Sequence, residues 1–294
     1  MHDLASEPGA AAFVIRPAAP SLERAAERPM VIGILNVTPD SFSDGGQYAS
    51  LRAAVERGIQ LRQQGADVVD VGGESTRPGA ERVPAEEEQR RVIPVIRELA
   101  AQQIALSIDT MNASTARAAI DAGARIVNDV SGGLADPRMY AVVANADVDY
   151  IAMHWRGHSR IMNELATYTD VVVEVRAELA ERLSAMDAAG LDPNRVILDP
   201  GLGFAKTTEH NWSLLARLDE LGELGRPLLV GTSRKRFLGE LLPAEAAIEL
   251  RDAATAATSV LAASAGAWGV RVHDVASTIL ALAVWSAWQT GRSA

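Results

Sequence analysis

Gly65-Ala-Asp-Val-Val-Asp-Val71 is the stretch whose pattern decides the fold. Its glycine ends a helical pattern, and the short aliphatic run that follows predicts a strand of a buried parallel sheet. Gly-Ala pairs recur at Gly123 and Gly266, again directly before apolar runs. This repetition predicts one strand–helix unit that the chain uses many times.

Eight apolar runs alternate with helical patterns from Met30 onward. The predicted strands are Val31–Leu35, Val68–Val71, Ile104–Ile108, Arg125–Asn128, Tyr150–Met153, Val196–Leu198, Leu228–Val230 and Gly269–Val272. The predicted helices include Leu51–Gln64, Ala85–Ala101, Ala113–Ala122, Val171–Ala189, Thr208–Leu221 and Arg251–Ala265. Alternation of this kind predicts a parallel sheet, and eight strands predict an α/β fold of the (β/α)8 TIM barrel type.

The alternative fold is a doubly wound open sheet. That fold usually carries a Gly-x-Gly-x-x-Gly turn after its first strand. Here the first strand is followed by Asn36-Val-Thr-Pro-Asp40, which does not match. We therefore expect a single-domain barrel over residues 29–294, preceded by an N-terminal extension at residues 1–28 that is partly disordered.

The composition narrows the function classes. The net charge of −10 and the pI of about 5.1 argue against partners such as nucleic acid or anionic membranes. The absence of cysteine excludes disulfides, thiolate nucleophiles and cysteine metal sites. No basic, apolar leader begins the chain, and the apolar run Val275–Trp288 is too short to cross a bilayer of about 30 Å, so it predicts a packed terminal helix. We expect a cytoplasmic protein.

Nearly every predicted strand ends in polar residues. These are Asn36, the turn Gly72–Arg77, Asp109, Asn128-Asp129, His154, Asp199, Ser233–Lys235 and Arg271–His273. Any one of them could be a helix cap. Because the active site of such a barrel lies at the carboxyl ends of its strands, the whole set favours one shared site.

The residue types indicate what this site binds. Asp109, Asn128 and Asp199 offer acceptors and an amide, and Lys235 and Arg271 offer fixed cations. This mixture suits the edge of a flat heterocycle that carries both donors and acceptors. Residues after strands seven and eight often bind phosphate in these barrels. The run Thr232–Arg236, with Arg271 and His273, therefore predicts an anion site, although an isolated basic run is more often a solvated turn.

Two loops rich in turn formers, Thr38–Gly46 and Gly72–Gly79, are compatible on composition with ordinary surface loops or with lids over the mouth of the barrel. Phe42 favours the lids, because an exposed aromatic side chain is otherwise poorly explained. Asn36 and Asp44 could hold Mg²⁺ beside a diphosphate, since hard oxygen ligands suit this ion. His154 has no partner at metal-ligand spacing, and we expect it to be part of the structure of the barrel mouth.

Seven segments of this chain resemble those of dihydropteroate synthases. They are Asn36–Gly46, Asp70–Gly79, Ser107–Thr110, Val127–Gly133, Asp199–Phe204, Ser233–Lys235 and Val270–Asp274. The resemblance implies an enzyme of folate biosynthesis that joins 6-hydroxymethyl-7,8-dihydropterin pyrophosphate to p-aminobenzoate and releases pyrophosphate. It also implies a homodimer that packs its late helices together, Mg²⁺ as the cofactor, and inhibition by sulfonamides.

The resemblance also implies roles for individual residues. The pterin would be bound by Asp109, Asn128, Asp199, Lys235 and Arg271. The diphosphate would lie among Asn36, Arg77, Arg271 and His273, with Mg²⁺ near Asn36 and Asp44. The p-aminobenzoate pocket would include Phe42, Thr76, Pro78 and Ser233, while Met153 and Phe204 would line the site. Asp109, Lys235 and Arg271 are the predicted catalytic residues.

One position departs from the family pattern. Two other functions also stay open. Many members have serine after the Ser-Arg-Lys run, whereas this chain has Arg236, which bears on sulfonamide sensitivity. The alternatives are a methyltetrahydrofolate-type pterin methyltransferase and a non-catalytic pterin-binding paralogue. We predict a dissociative substitution at the pterin methylene carbon, because the sequence offers cations for the leaving group but no positioned nucleophile.

Overall fold

The structure is a computed structural model that describes residues 28–38, 46–74, 82–158, 162–243 and 245–293, without the side chains of residues 46–49, 162–163 and 293. The predicted extension therefore lies outside the described residues, apart from Arg28. The domain division of the chain stays a prediction.

Eight parallel strands form the centre of the molecule. Their bounds are β1 Met30–Asn36, β2 Val68–Gly72, β3 Leu106–Asp109, β4 Ile126–Asp129, β5 Asp149–Met153, β6 Val196–Asp199, β7 Leu229–Val230 and β8 Gly269–Val272. They pair in the order β6-β5-β4-β3-β2-β1-β8-β7. A parallel bridge between Leu198 and Leu228 joins the two ends of that order. The predicted (β/α)8 barrel is confirmed.

Helices follow the strands and cover the barrel. They are α1 Gly46–Gln63, α2 Ala85–Ala101, α3 Ala113–Ala122, α4 Met139–Ala144, α5 Val171–Ala188, α6 Thr208–Ala216, α7 Leu218–Gly222, α8 Arg236–Gly239, α9 Ile248–Ser264 and α10 Val275–Ser293. Short 3-10 helices lie at Met162–Leu165 and Pro193–Arg195. The predicted helix Thr208–Leu221 is two helices, because Arg217 leaves the helical conformation (φ −120°, ψ 35°).

The alternation of side chains along each strand divides the interior into two cores. Residues that point outward pack against the helices in a large cluster, as Val69 and Val127 do. Residues that point inward form a second, smaller cluster inside the barrel. Its members are Met30, Ile32, Val68, Ile126, Ile151, Ile197, Leu229 and Trp268. This layer of aliphatic and aromatic side chains fills the barrel below the carboxyl ends of the strands.

The chain ends in a helix that is only partly covered. The apolar run that predicted a packed helix forms α10, and Val275 and Leu282 are buried. Leu280, Val284 and Trp288 on the same helix are instead exposed. The prediction of a packed helix is therefore wrong for this face. No helix among the described residues is long and apolar enough to cross a membrane.

Candidate active site

A polar layer lies directly above the inner apolar layer. Side chains on a strand alternate between the two faces, so the residue two positions after an inward-pointing residue also points inward. Val68 is followed in this way by Asp70, and Ile126 by Asn128. The same step leads from Ile151 to Met153, from Ile197 to Asp199 and from Leu229 to Gly231. Arg271 on β8 joins this layer through its hydrogen bonds to Asp70 and Asp109. The barrel thus brings residues of six strands to one level.

Arg271 is the centre of this layer. Its Nε donates to Oδ2 of Asp70 at 2.6 Å, and its Nη2 donates to Oδ2 of Asp109 at 2.6 Å. Asn128 Nδ2 donates to the same Asp70 oxygen at 3.0 Å. Two carboxylates on neighbouring strands therefore fix the plane of the guanidinium, with 19% of the Arg271 side chain left exposed toward the mouth.

Asp199 and Lys235 approach this group from the other side. A Cβ atom built on Gly231 would lie 3.8 Å from Asp199 Oδ2, 3.8 Å from Lys235 Nζ and 4.0 Å from Arg271 Cβ. The missing side chain of Gly231 therefore leaves room among one acid and two cations. Lys235 also donates to the carbonyl oxygen of Leu202, and its Nζ lies 4.8 Å from the centre of the Phe204 ring.

Asn36 completes the ring of polar groups on the side of β1. The strand register puts Asn36, Gly72, Asp109 and Asn128 next to one another on four successive strands. A Cβ built on Gly72 would lie 3.6 Å from Asp109 Oδ2 and 3.8 Å from Asn36 Oδ1. Gly72, like Gly231, leaves open space beside the polar atoms instead of filling it.

Burial and charge act against each other in this layer. Burial raises the pKa of Asp109 to about 7, although Arg271 acts in the opposite direction. Burial likewise raises the pKa of Asp199, against the effect of Lys235. Burial lowers the pKa of Lys235 to about 8, with Asp199 opposing the change. The charged form of each of these three groups is therefore less favoured than in water, and a bound ligand that supplies hydrogen bonds or opposite charge can restore it.

The end of the site next to β8 presents groups suited to an anion. Ser233 Oγ lies 2.9 Å from His273 Nδ1, and the backbone N–H of His273 donates to the same hydroxyl at 3.1 Å. The neighbouring Arg234 does not contribute, because its guanidinium pairs with Asp252 at 2.7 and 2.8 Å. Arg236 begins α8 and its side chain is exposed, 3.5 Å from Glu240. Of the predicted basic run, Lys235 is thus the cation that joins the cluster.

A second network lies behind the polar layer. His154 is buried at the end of β5, where its Nε2 lies 2.9 Å from Glu178 and its Nδ1 lies 2.9 Å from Lys206 Nζ. Arg156 also pairs with Glu178. Burial lowers the pKa of His154 to about 4, and the charge of Lys206 acts in the same direction. His154 is therefore a neutral, structural side chain at physiological pH, in agreement with the sequence-based interpretation.

The predicted site residues that the structure describes lie together. Asn36, Asp109, Asn128, Met153, Asp199, Phe204, Ser233, Lys235, Arg271 and His273 surround one mouth. The other predicted residues lie outside the described residues: Phe42, Asp44, Thr76, Arg77 and Pro78. Within the described ranges, no three histidine, aspartate or glutamate side chains form a group that could hold a metal ion.

The sequence analysis did not name two residues that the structure links to the site, one in the polar layer and one in the network behind it. Asp70 is wholly buried and holds Arg271, although it was noted only as part of a motif. Its position two residues after Val68, in the middle of an aliphatic strand, is the signal that could have identified it, because an unpaired acid is rarely buried. Lys206 is one of only two lysines in the chain, which is also visible in the sequence.

Comparison with known proteins agrees with this geometry. The pterin binding enzyme family model matches residues 32–273. The dihydropteroate synthase of Mycobacterium leprae is 55% identical over 263 residues, which cover 88% of this chain and 93% of that protein. The structure of Xanthomonas albilineans dihydropteroate synthase with 4-aminobenzoic acid superposes with a TM-score of 0.84 at 48% identity, covering 92% of this chain and 99% of that one.

A second structure of the Xanthomonas albilineans enzyme, in complex with 7,8-dihydropteroate, gives a TM-score of 0.81 at 47% identity and covers 92% of this chain and 95% of that one. The family predicted from the seven segments is thereby confirmed, and with it the preference for a synthase over a methyltransferase. The chain belongs to the pterin binding enzyme family, and within that family to the dihydropteroate synthases.

Proposed function

We propose that this chain condenses 6-hydroxymethyl-7,8-dihydropterin pyrophosphate with p-aminobenzoate at the polar layer of the barrel. The observation that carries the proposal is the clasp of Arg271 by Asp70 and Asp109, facing Asp199 and Lys235 across the open space at Gly231. This arrangement offers carboxylates, an amide and cations around a gap without side chains. A flat heterocycle with donors and acceptors on its edge fits that chemistry.

The pterin is expected to lie with its polar edge toward β4, β6 and β7. Asp199 would accept hydrogen bonds from the 2-amino group and N3–H. The N–H of Gly201 donates to one of its oxygens at 2.7 Å and so fixes the orientation of the carboxylate. Asn128 and Lys235 would meet the ring nitrogens and the 4-oxo oxygen. Met153 and Phe204 supply apolar and aromatic surface beside the ring, and the Arg271 plane supplies a surface on which it can stack.

The reaction is a substitution at the methylene carbon. The bond from this carbon to the diphosphate oxygen breaks, the aniline nitrogen forms the new bond, and a proton leaves the nitrogen for solvent. Asp109 would face the positive charge that develops on the pterin, while Arg271 and His273 would stabilise the departing anion. Among the described residues no side chain is positioned as a nucleophile. This supports a dissociative path.

One of the described residues, Asn36, offers an oxygen suited to Mg²⁺. The described residues offer the amide oxygen of Asn36 at the open space above Gly72, and Mg²⁺ commonly takes only one or two protein oxygens together with substrate phosphates and water. Asn36 would hold the ion next to the diphosphate, with Asp44 as the second predicted ligand. The ion would neutralise charge on the leaving group.

The p-aminobenzoate pocket would be completed by the two loops over the mouth. Ser233 is the member of this pocket among the described residues, and Phe42, Thr76 and Pro78 are the members proposed from the loops, whereas Arg77 is proposed to face the diphosphate. Sulfonamides would occupy the same pocket. With Arg236 exposed and paired to Glu240, we do not expect its side chain to replace the serine contact typical of the family.

We further propose a homodimer that forms through α9 and α10. Four large apolar side chains are exposed on this pair of helices: Leu261 (64%), Leu280 (68%), Val284 (64%) and Trp288 (69%). Leu280, Val284 and Trp288 follow one another at intervals of four residues and so lie on one face of α10, and an exposed apolar face of this kind usually marks an interface between proteins. Trp288→Glu combined with Leu280→Asp should give a monomer in sedimentation experiments, whereas an unchanged dimer mass would exclude this surface.

The activity itself is tested by release of pyrophosphate from the purified protein. We expect release from the pterin pyrophosphate only when p-aminobenzoate is present. Release without the amine would indicate a hydrolase, and no release with both substrates would support a non-catalytic pterin-binding protein. We place the reaction in the cytoplasm, in keeping with a chain that has no cysteine.

A further inference from the structure

The chain contains only two lysines. Of its 28 basic residues, 26 are arginine, and the two lysines are Lys206 and Lys235. Lys235 belongs to the polar layer. Lys206 follows β6 in the loop that leads to α6, is buried, and has no role in the chemistry proposed above. A buried cation is costly unless its charge and its hydrogen bonds are satisfied, so its presence here requires an explanation.

Lys206 holds three acceptors at once. Its Nζ donates to the carbonyl oxygens of Gly201 and Phe204, both at 3.1 Å, and lies 2.9 Å from Nδ1 of His154. An ammonium group has three tetrahedral donors, which the planar fork of arginine cannot reproduce. Burial lowers the pKa of Lys206 to about 7 and Asp199 opposes the change, but all three acceptors are satisfied only by the protonated form.

The loop that Lys206 ties down is strained. Gly201, Gly203 and Ala205 all have positive φ values, of 66°, 78° and 47°. Ala205 carries a side chain in this left-handed region, which is unfavourable for every residue except glycine. Backbone of this kind persists only where the surrounding structure enforces it. Lys206 supplies that constraint from within the loop, because it binds carbonyl groups on both sides of Gly203.

The same loop supplies the groups that position the polar layer. The Leu202 carbonyl accepts from Lys235 Nζ, the Phe204 ring lies below that ammonium, and the Gly201 N–H donates to Asp199 Oδ1. His154 anchors the arrangement to β5. Its Nδ1 accepts from Lys206, so its Nε2–H is directed to Glu178. Loss of the Lys206 ammonium would release the loop at three points.

We propose that Lys206 is a positioning residue for the pterin site: it ties the loop between β6 and α6 to the end of β5 and thereby fixes Lys235 and Asp199. Its positive charge also favours the ionised form of Asp199. The inference rests on the proposed function of the polar layer. It predicts that Lys206 affects the pterin without affecting the second substrate.

The test is Lys206→Met, which keeps most of the volume and removes all three donors. The matched control is Arg195→Met, which removes a cation that donates to the carbonyls of Ala146 and Val148 at the opposite end of the barrel. Binding of 7,8-dihydropteroate is measured by calorimetry, and the KM for p-aminobenzoate is measured with saturating pterin pyrophosphate. Lysine labelled with ¹³C at Cε reports on Lys235, the single lysine left in the Lys206 variant.

We expect Lys206→Met to weaken binding of 7,8-dihydropteroate at least tenfold, to leave the KM for p-aminobenzoate within twofold, and to shift the Lys235 Cε resonance. Arg195→Met should lower the melting temperature and change none of these three. If Lys206→Met binds the product within threefold of the wild type, or if both substrates are affected equally, the proposal is wrong.

Lys206→Gln, which keeps two donors, is judged by the same criteria if the methionine variant does not fold. Failure of both variants to fold would overturn the proposal in favour of a purely structural role. Wild-type protein that does not bind 7,8-dihydropteroate would instead refute the proposed function, whatever the variants do.

Discussion

Asp70→Asn tests whether the pairing of Arg271 with Asp70 and Asp109 serves the stability of the fold, the activity, or both. The substitution keeps the shape of the side chain and removes its charge. Oδ2 of Asp70 accepts from Arg271 Nε at 2.6 Å and from Asn128 Nδ2 at 3.0 Å. A hydrogen bond to a charged group contributes about 1.5–3 kcal/mol, and a neutral one about 0.5–1.5 kcal/mol. The loss is therefore about 1 kcal/mol or slightly more for each bond.

We expect the free energy of unfolding to fall by about 2–3 kcal/mol and the melting temperature by about 5–10 °C. The guanidinium would then be held by Asp109 alone. If its plane is needed for the pterin and the diphosphate, kcat/KM for the pterin pyrophosphate should fall by about tenfold or more, which corresponds to about 1.4 kcal/mol or more of lost transition-state stabilisation. Steady-state kinetics and thermal unfolding measure both effects.

Asp67→Asn is the matched control. Asp67 accepts from Arg28 at 2.7 and 2.9 Å and from the N–H of Val31 at 2.8 Å, at the opposite end of the barrel. It should reduce stability without changing kcat/KM. If Asp70→Asn lowers the melting temperature but retains kcat/KM within twofold of this control, Asp70 serves the fold alone and the proposed clasp has no catalytic consequence.

Two further predictions concern charge and backbone. The kcat/KM for the pterin pyrophosphate should be bell-shaped in pH: Asp109 is ionised only above its pKa of about 7, and Lys235 is protonated only below its pKa of about 8. Asp109→Asn should lower the maximum about 100-fold and abolish the acid limb; an acid limb that persists would assign it to another group. Gly201→Ala should destabilise by about 2–5 kcal/mol, because φ is 66° and the new Cβ would lie 2.3 Å from the His154 carbonyl oxygen. Gly190→Ala, at φ 81° with no atom within 4 Å, should cost about 1–2 kcal/mol, and equal melting temperatures for the two variants would refute the role of that close approach.

The sequence predicted the barrel because its periodic signals are local. The glycines at the ends of predicted helices, Gly65, Gly123, Gly190 and Gly266, all have positive φ, as a C-terminal cap requires. The polar strand ends predicted the site because parallel strands end at one edge. Neither signal indicates which carboxylate meets which cation, since those pairs join residues as far apart as Asp70 and Arg271.

Other features depend on tertiary contacts that no periodic pattern encodes. Arg217 lies at the break between α6 and α7. Its guanidinium pairs with Asp170 at 3.1 Å and with Glu220 at 2.6 Å. The direction of Arg234 away from the site depends on Asp252 in α9, and its positive φ of 58° turns it there. The exposed face of α10 could not be read from an apolar run, because such a run is compatible with burial in the same chain or against another one.

In the part of the chain that the structure describes, the layer of aliphatic and aromatic side chains below the polar residues closes that side of the barrel, so the polar residues are reached from the carboxyl ends of the strands. A ligand bound at the level of Arg271 would leave through the same end of the barrel by which it entered. A second ligand bound above it would obstruct that route. We therefore expect the two substrates to bind in a fixed order, with the deeper substrate first. The same one-ended plan means that a tightly held product blocks the next cycle, so its exit is a natural bottleneck for turnover.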